Sequence, residues 1–305
     1  LVLPLCEPQS TGFFGDVFAL IKPSGSNSII GLNGSGKSPE NLTSSSIRSK
    51  GHVCMPNVDV CSITLPGAMA AFDSLHKKFG KLDLSDLCEP AIFYAENGVV
   101  VSPRVAFDWS YSASVLKGAA KGFYLNRGKP FKVGEVFFAP GQAKMLSEFS
   151  KKGAAGFYEG EIADDLIVSL QNLGGTHSFE DLDNVQAEYV NPITAQLGDY
   201  ELVEMPPNGQ GVTAILIRKI LEQFDLTNLN PIGADRVHLE AEAAKIAYIA
   251  RNKLIADPNF YKFPIEEFIS DEIISNYVAK INPNKARDQE IQTRENPHKD
   301  TVYLT

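Results

Sequence analysis

Residues 31–38, GLNGSGKS, carry the densest chemical signal in the 305-residue chain. They match G-x-x-x-x-G-K-[ST] at every fixed position. In that pattern glycine amides cradle phosphates, the lysine (here Lys37) reaches the β/γ oxygens and the serine (Ser38) ligates Mg²⁺. A strand-like SNSII precedes the motif, but the segment downstream of it does not suit a nucleotide. A phosphate loop must run straight into a helix whose N-terminus faces the ligand. Here Ser38 leads into Pro39 and ENLTSSSIRSKGH, which has no apolar helical period. Ser44–Ser46 and Gly51 are poor helix material, and no apolar strand ending in Asp is present to serve a metal. A glycine-rich loop near a substrate pocket is the better expectation; a nucleotide-binding module using Gly31–Ser38 is the alternative.

Other reactive residue types are dispersed. Cys6, Cys54, Cys61 and Cys88 form no CxxC pair and have no His at metal spacing, so reduced, buried cysteines are the default. His52, His76, His177, His238 and His298 stand singly, and neither a metal nor a cofactor is expected. Asn41-Leu42-Thr43 spells a glycosylation sequon, read as chance.

The elements that must position these residues follow from periodicity. Val17–Lys22 and Ser28–Leu32 read as strands about the turn Pro23-Ser24-Gly25. Residues 33–60 are polar and loop-like. Helical punctuation then takes over: Pro66, Ala68–Phe79 and the stop at Gly80, followed by Glu89–Asn97 and Pro103–Ser114. Gln142–Lys151 and Glu161–Asn172 are amphipathic, and Ser178 with Asp181 makes a capping-box start. Thr194–Val203 reads as extended, Pro206–Gly211 (PPNGQG) as an irregular turn and Val212–Phe224 as an apolar helix. Arg236–Ala256 is the longest periodic stretch, with Val237, Ala241, Ala244, Tyr248 and Ile255 as its expected buried stripe. Residues 282–300 are polar, with two prolines and mixed charges, and read as an exposed linker. The chain is α-rich with a few strands at both ends, and residues 1–305 are expected to form one domain.

Composition bounds the class. At 44% hydrophobic and 21% charged, the chain has an ordinary globular make-up. A net charge of −9 argues against a nucleic-acid or anionic-membrane surface. No apolar run reaches the roughly 18 residues needed to span a bilayer. Both ends read as cut: Leu1 begins inside LVLPL without an initiator Met, and the terminal TVYLT alternates like the opening of a strand. Location leans to the cytoplasm, with a periplasmic or secreted site left open because any leader is out of view.

Several stretches, in order, resemble the large-subunit region of the gamma-glutamyltranspeptidase family, in its transpeptidase-like branch. They are Glu7-Pro8 with Thr11–Asp16, and Leu65-Pro66-Gly67 through Glu89–Ile92 to Ala95–Gly98. Gly156–Gly160 comes next with Ile162-Ala163, Gly174-Gly175 and Asp181-Leu182. The set closes with Pro206–Gly211, Leu221–Asp225 and Glu242 through Tyr248 and Arg251 to Asp257–Phe260. The resemblance implies an α/β (α+β) fold, an incomplete N-terminal-nucleophile hydrolase αββα sandwich of which this chain is the helix-rich large-subunit portion. It also implies a precursor that cuts itself between Asp300 and Thr301, just after the polar linker, where a chain can be severed without unravelling its core.

In that arrangement Thr301 is the catalytic nucleophile, and its own freed α-amine is the base. The amine's ordinary pKa of about 7.7–8.0 suits the role. Processing therefore creates the catalyst. The resemblance further implies a small-molecule amide or peptide substrate and, as partner, a small subunit from the same precursor that holds the oxyanion donors. A homo-oligomer is left open. This fragment alone is expected to be inactive and to expose apolar sheet surface. A catalytically lost scaffold is the alternative within the family.

One departure concerns the substrate. The family's carboxylate-gripping arginine falls at about Asn33, in the loop Leu32–Pro39, and an amide cannot give a bidentate charge-assisted grip. Asn33, Ser35 and Lys37 are the candidate substrate contacts, with Lys37 either a partial substitute or simply solvated. Phe13 and Phe14 stand where small residues are usual; Phe14 is expected to fill core or to narrow a pocket.

Overall fold

The structure, a computed structural model, describes residues 1–262 and 264–287. Asp300, Thr301 and linker residues 288–300 lie outside them. The described chain packs as two compact units, Leu1–Val17 with Gly34–Glu188, and Phe18–Asn33 with the described residues from Tyr189 onward.

The first unit is built on helices. Ala68–Phe79 starts at Gly67, buries Ala68, Met69, Ala70 and Ala71, and stops at Gly80. Leu84–Asn97 begins five residues before the expected Glu89 and carries Pro90 in its interior. The proline removes one helical donor, but burial of Cys88, Ala91 and Ala95 along one face holds the helix together. Pro140–Lys152 and Glu161–Asn172 complete the main core, in which Met69, Cys88, Met145, Leu146, Phe149, Phe157 and Ile167 interlock. A smaller cluster around Trp109 packs on an antiparallel strand pair, Val99–Val100 and Val136–Phe137.

The core reading of Phe14 and the burial of all four cysteines both fail here. Phe13, only 2% exposed, fills the core, whereas Phe14 is half exposed and lies tilted on Phe157 with ring centroids 5.1 Å apart. The cysteines divide as well: Cys61 and Cys88 are buried, but Cys6 and Cys54 are exposed.

Among the described residues, the second unit combines β-structure with four helices. Strands Val17–Ile21, Ile30–Gly34 and Glu188–Val190, here β1, β2 and β3, form a sheet in the order β1-β2-β3. The extended stretch foreseen at Thr194–Val203 is an antiparallel hairpin. Ile193–Leu197 (β4) pairs with Tyr200–Glu204 (β5), from Ile193 opposite Glu204 to Leu197 opposite Tyr200. Ala195 and Leu197 alternate inward as a half-buried strand requires.

Helix Gly211–Leu221 packs on helices Ala234–Leu254 and Asp271–Val278 through Val212, Leu216 and Ile220. The long helix does not bury the stripe expected of it. Val237 and Tyr248 are exposed, and the buried face is Leu239, Glu242, Ala243, Ile246, Ala247 and Ala250. That face includes a buried carboxylate, Glu242. Among the described residues no helix is long and apolar enough to cross a membrane.

Candidate functional site

The loop that carries Asn33, Ser35 and Lys37 leaves β2 and is fixed on both sides. In the first unit its backbone threads between two others. The Gly36 amide donates to Asp16 Oδ1 at 2.8 Å, and the Leu65 amide donates to the Lys37 carbonyl at 2.8 Å. The amides of Gly67 and Ala68 both donate to the Gly15 carbonyl. Below them the buried Tyr158 hydroxyl donates to the Pro66 carbonyl at 2.6 Å and accepts from the Ala70 amide at 3.1 Å. Burial pushes that phenol's pKa well up, so it stays a donor at any working pH.

The glycines of the motif owe their identity to this crowding. A Cβ on Gly31 would lie 2.8 Å from Val190, one on Gly34 2.5 Å from the Ala71 methyl, and one on Gly36 would run into the Leu65 carbonyl. Gly67 faces Gly34 in the same way. Only residues without Cβ permit backbones to approach so closely.

A phosphate cradle is not formed. Gly31–Gly34 are strand, and the Gly36 amide faces a carboxylate where a phosphate would have to sit. The next helix, Ser44–Ser49, starts only at the Thr43 cap. That helix corrects the expectation of loop throughout 33–60: Thr43 and Ser46 form a capping box, which offsets the poor propensity of the serines.

Asp16 feels opposing effects. Crowding by protein raises its pKa, the Gly36 amide lowers it, and the balance lies above the usual carboxylate range. Lys37 holds the loop through its backbone; its side chain is exposed and makes no ion pair among the described residues. Ser35 is half-buried.

In the second unit, Asn33 at the end of β2 meets the PPNGQG turn. Its Nδ2 donates to Asn208 Oδ1 at 3.1 Å. The turn is rigid on its far side too. A Cβ on Gly211 would lie 2.7 Å from Glu204 Cβ, and Arg251 Nη1 donates to Gln210 Oε1 at 2.9 Å. Burial raises the Glu204 carboxyl's pKa against the lowering effect of the Met205 amide. Two features found separately in the sequence, the departure at Asn33 and the PPNGQG turn, are thus in direct contact. The part played by Arg251 had no sequence signal beyond its place in the resemblance.

The linker's first residues are tied down. Asn282 O accepts from the His238 ring at 2.8 Å, and the Arg287 amide donates to Glu242 Oε1 at 3.2 Å.

Comparison with known proteins covers the whole of this chain. The family model for gamma-glutamyltranspeptidase matches residues 1–305. The glutathione hydrolase-like YwrD proenzyme of Bacillus subtilis (strain 168) is 30% identical over 281 residues, 92% of this chain and 53% of that protein. The acylase ACY 1 proenzyme of Pseudomonas sp. (strain SE83) is 30% identical over 248 residues, 80% of this chain and 44% of that protein. The crystal structure of Helicobacter pylori gamma-glutamyltranspeptidase matches with a TM-score of 0.86 at 25% identity, covering 94% of this chain and 84% of that one. The chain spans about half the length of the curated relatives it matches.

Proposed function

The chain belongs to the gamma-glutamyltranspeptidase family, and from that premise we propose that it is part of a self-processing amidohydrolase or acyltransferase whose nucleophile is Thr301. The observation that carries this reading is the family match through residue 305, which takes in Asp300-Thr301-Val302-Tyr303-Leu304.

In the precursor the Thr301 hydroxyl adds to the Asp300 carbonyl. Collapse of that adduct breaks the Asp300–Thr301 C–N bond, which frees the α-amine and leaves an ester on Thr301 Oγ1; water then opens the ester, releasing the Asp300 carboxylate and restoring the hydroxyl. In the mature protein this amine takes the hydroxyl proton while Oγ1 attacks a substrate amide carbonyl. The proton passes to the departing amine, and an acyl ester remains. Water releases the acid, or a second amine takes the acyl group. Both tetrahedral adducts need oxyanion donors, assigned here to a small subunit from the remainder of the precursor.

The acyl donor is a γ-glutamyl or related acyl amide. Relatives named as glutathione hydrolase-like and as acylase proenzymes support that breadth. With Asn33 bonded to Asn208, position 33 presents a neutral amide, and γ-glutamyl selectivity has no guanidinium there to rest on.

The test uses the full-length gene product. Thr301→Ala abolishes both self-cleavage and amide hydrolysis, and Thr301→Ser retains part of each. Cleavage and hydrolysis that survive Thr301→Ala overturn the assignment. A wild-type precursor that stays whole and inactive identifies a scaffold instead.

A further inference from the structure

We infer that Arg251 is the anion-recognition residue of the second unit, holding a carboxylate of the small molecule that binds beside the Asn33–Asn208 pair. The inference rests on the proposed function for the identity of that molecule, and on geometry for the site.

A guanidinium has five N–H donors in a rigid fork and is always charged. Among the described residues, three of Arg251's nitrogen contacts are made, all to neutral amide oxygens. Nη1 donates to Gln210 Oε1 at 2.9 Å, and Nε and Nη2 donate to Asn252 Oδ1 at 3.0 and 2.7 Å. The fork also lies over the Tyr248 ring, 4.7 Å from its centroid. It is therefore pinned in plane and orientation, and no acidic side chain among the described residues pairs with it. Glu204, the carboxylate next to the turn, takes the Met205 amide instead.

Among the described residues, one N–H on Nη1 and one on Nη2 have no acceptor, and a guanidinium can offer two donors to the two oxygens of a single carboxylate.

The surroundings favour the same charge. Gln210, which Arg251 holds, precedes helix Gly211–Leu221, and no side chain caps that helix. Its N-terminal amides add partial positive charge. The helix end does not define the site; it reinforces a guanidinium that is already pinned and that, among the described residues, has no acidic partner in a chain of net charge −9. Lys37, the other cation near Asn33 in sequence, is exposed and held only through its backbone. Arg251 is fixed by its own side chain.

The experiment has two independent readouts on the full-length, processed protein. In the first, kcat/KM is measured for γ-glutamyl and glutaryl p-nitroanilides, each against the counterpart whose free carboxylate is a carboxamide. Arg251→Gln lowers the carboxylate-to-carboxamide ratio about 10- to 100-fold, the worth of a charge-assisted bidentate contact. Arg251→Lys recovers part of it. In the second, glutarate is titrated calorimetrically. The wild type binds, Arg251→Gln binds at least tenfold more weakly, and Arg251→Lys falls between.

Equal losses on carboxylate and carboxamide donors reveal a merely structural arginine and overturn the inference. So does glutarate binding that is absent from the wild type or unchanged in Arg251→Gln. If the wild type hydrolyses none of the anilides, the functional reading fails by itself, and the glutarate titration still decides the site.

Discussion

Asn33 and Asn208, separated by 175 positions, are joined side chain to side chain by a hydrogen bond of 3.1 Å. This bond ties the end of β2 to the PPNGQG turn and sets what position 33 can offer a ligand. An amide whose Nδ2 is already committed to Asn208 is a spacer more than a hook.

A double-mutant cycle on Asn33→Ala and Asn208→Ala measures the bond. A coupling of about 1 kcal/mol is expected, the usual net worth of a neutral hydrogen bond. Chemical denaturation of the two single variants and the double variant gives the value. Strict additivity would show that the contact contributes nothing.

Gly36 offers a sharper choice between packing and phosphate binding. Because its Cβ would meet the Leu65 carbonyl, Gly36→Ala must displace backbone. We expect a loss of at least about 2 kcal/mol. Gly12→Ala is the control, since a Cβ there meets nothing within 4 Å, and it should stay within about 0.5 kcal/mol of wild type. Lys37→Ala should also be nearly neutral, and Mg·ATP should bind neither it nor the wild type. Tight nucleotide binding lost in Lys37→Ala would reverse this reading of the loop.

The buried Tyr158 predicts an alkaline limb. Its pKa is raised in the fold by burial, against the smaller lowering effect of the Ala70 amide. An unfolded tyrosine ionises near pH 10. Above that pH the unfolded chain has released a proton that the native chain still holds, so native stability is complete below about pH 10 and falls as pH rises further. The slope from this group approaches about 1.4 kcal/mol per pH unit. Tyr158→Phe should cost about 1–3 kcal/mol at neutral pH, because it strands the Ala70 amide and the Pro66 carbonyl. It should also flatten the decline between pH 10 and 11. Parallel slopes for the two proteins would show that Tyr158 does not titrate this way.

The sequence was most legible where local pattern and tertiary packing agree. Ala68–Phe79 and Glu161–Asn172 have the bounds their periodicity and glycine stops foretold, and Ser178 forms its capping box with Asp181. It misled at the long helix. The stripe expected of that helix, drawn through Val237 and Tyr248, misses the face that packs, which includes the carboxylate of Glu242. Helix Ser44–Ser49 was illegible because it rests on a cap and not on propensity. The Asn33–Asn208 contact was illegible for another reason: each partner stands out locally, yet nothing in one sequence pairs residues so far apart. The phosphate-loop pattern was real, but its glycines answer to Ala71, Leu65 and Val190.

Glu242 provides the last test. It is fully buried on an apolar helix face, and its Oε1 accepts from Lys245 Nζ at 2.6 Å and from the Arg287 amide at 3.2 Å. Burial by itself would raise its pKa. The Lys245 ammonium and the Arg287 amide outweigh that effect, and the carboxyl is held below its ordinary value. The stabilisation is therefore present above the unfolded glutamate pKa, near pH 4.3, and is lost as pH falls through the lower native value. Glu242→Ala leaves Lys245 half-sheltered without its partner and frees the Arg287 amide. Removing one member of a buried pair typically costs about 3–5 kcal/mol. Lys245 is partly open to water, so about 2–3 kcal/mol is expected here. Glu242→Gln should lose less, since its carbonyl oxygen still accepts from Arg287. Denaturation curves at pH 7 and pH 4 check both points: the gap between wild type and Glu242→Ala should narrow at the lower pH. A gap that is the same at both values would mean that the charge on Glu242 does no stabilising work.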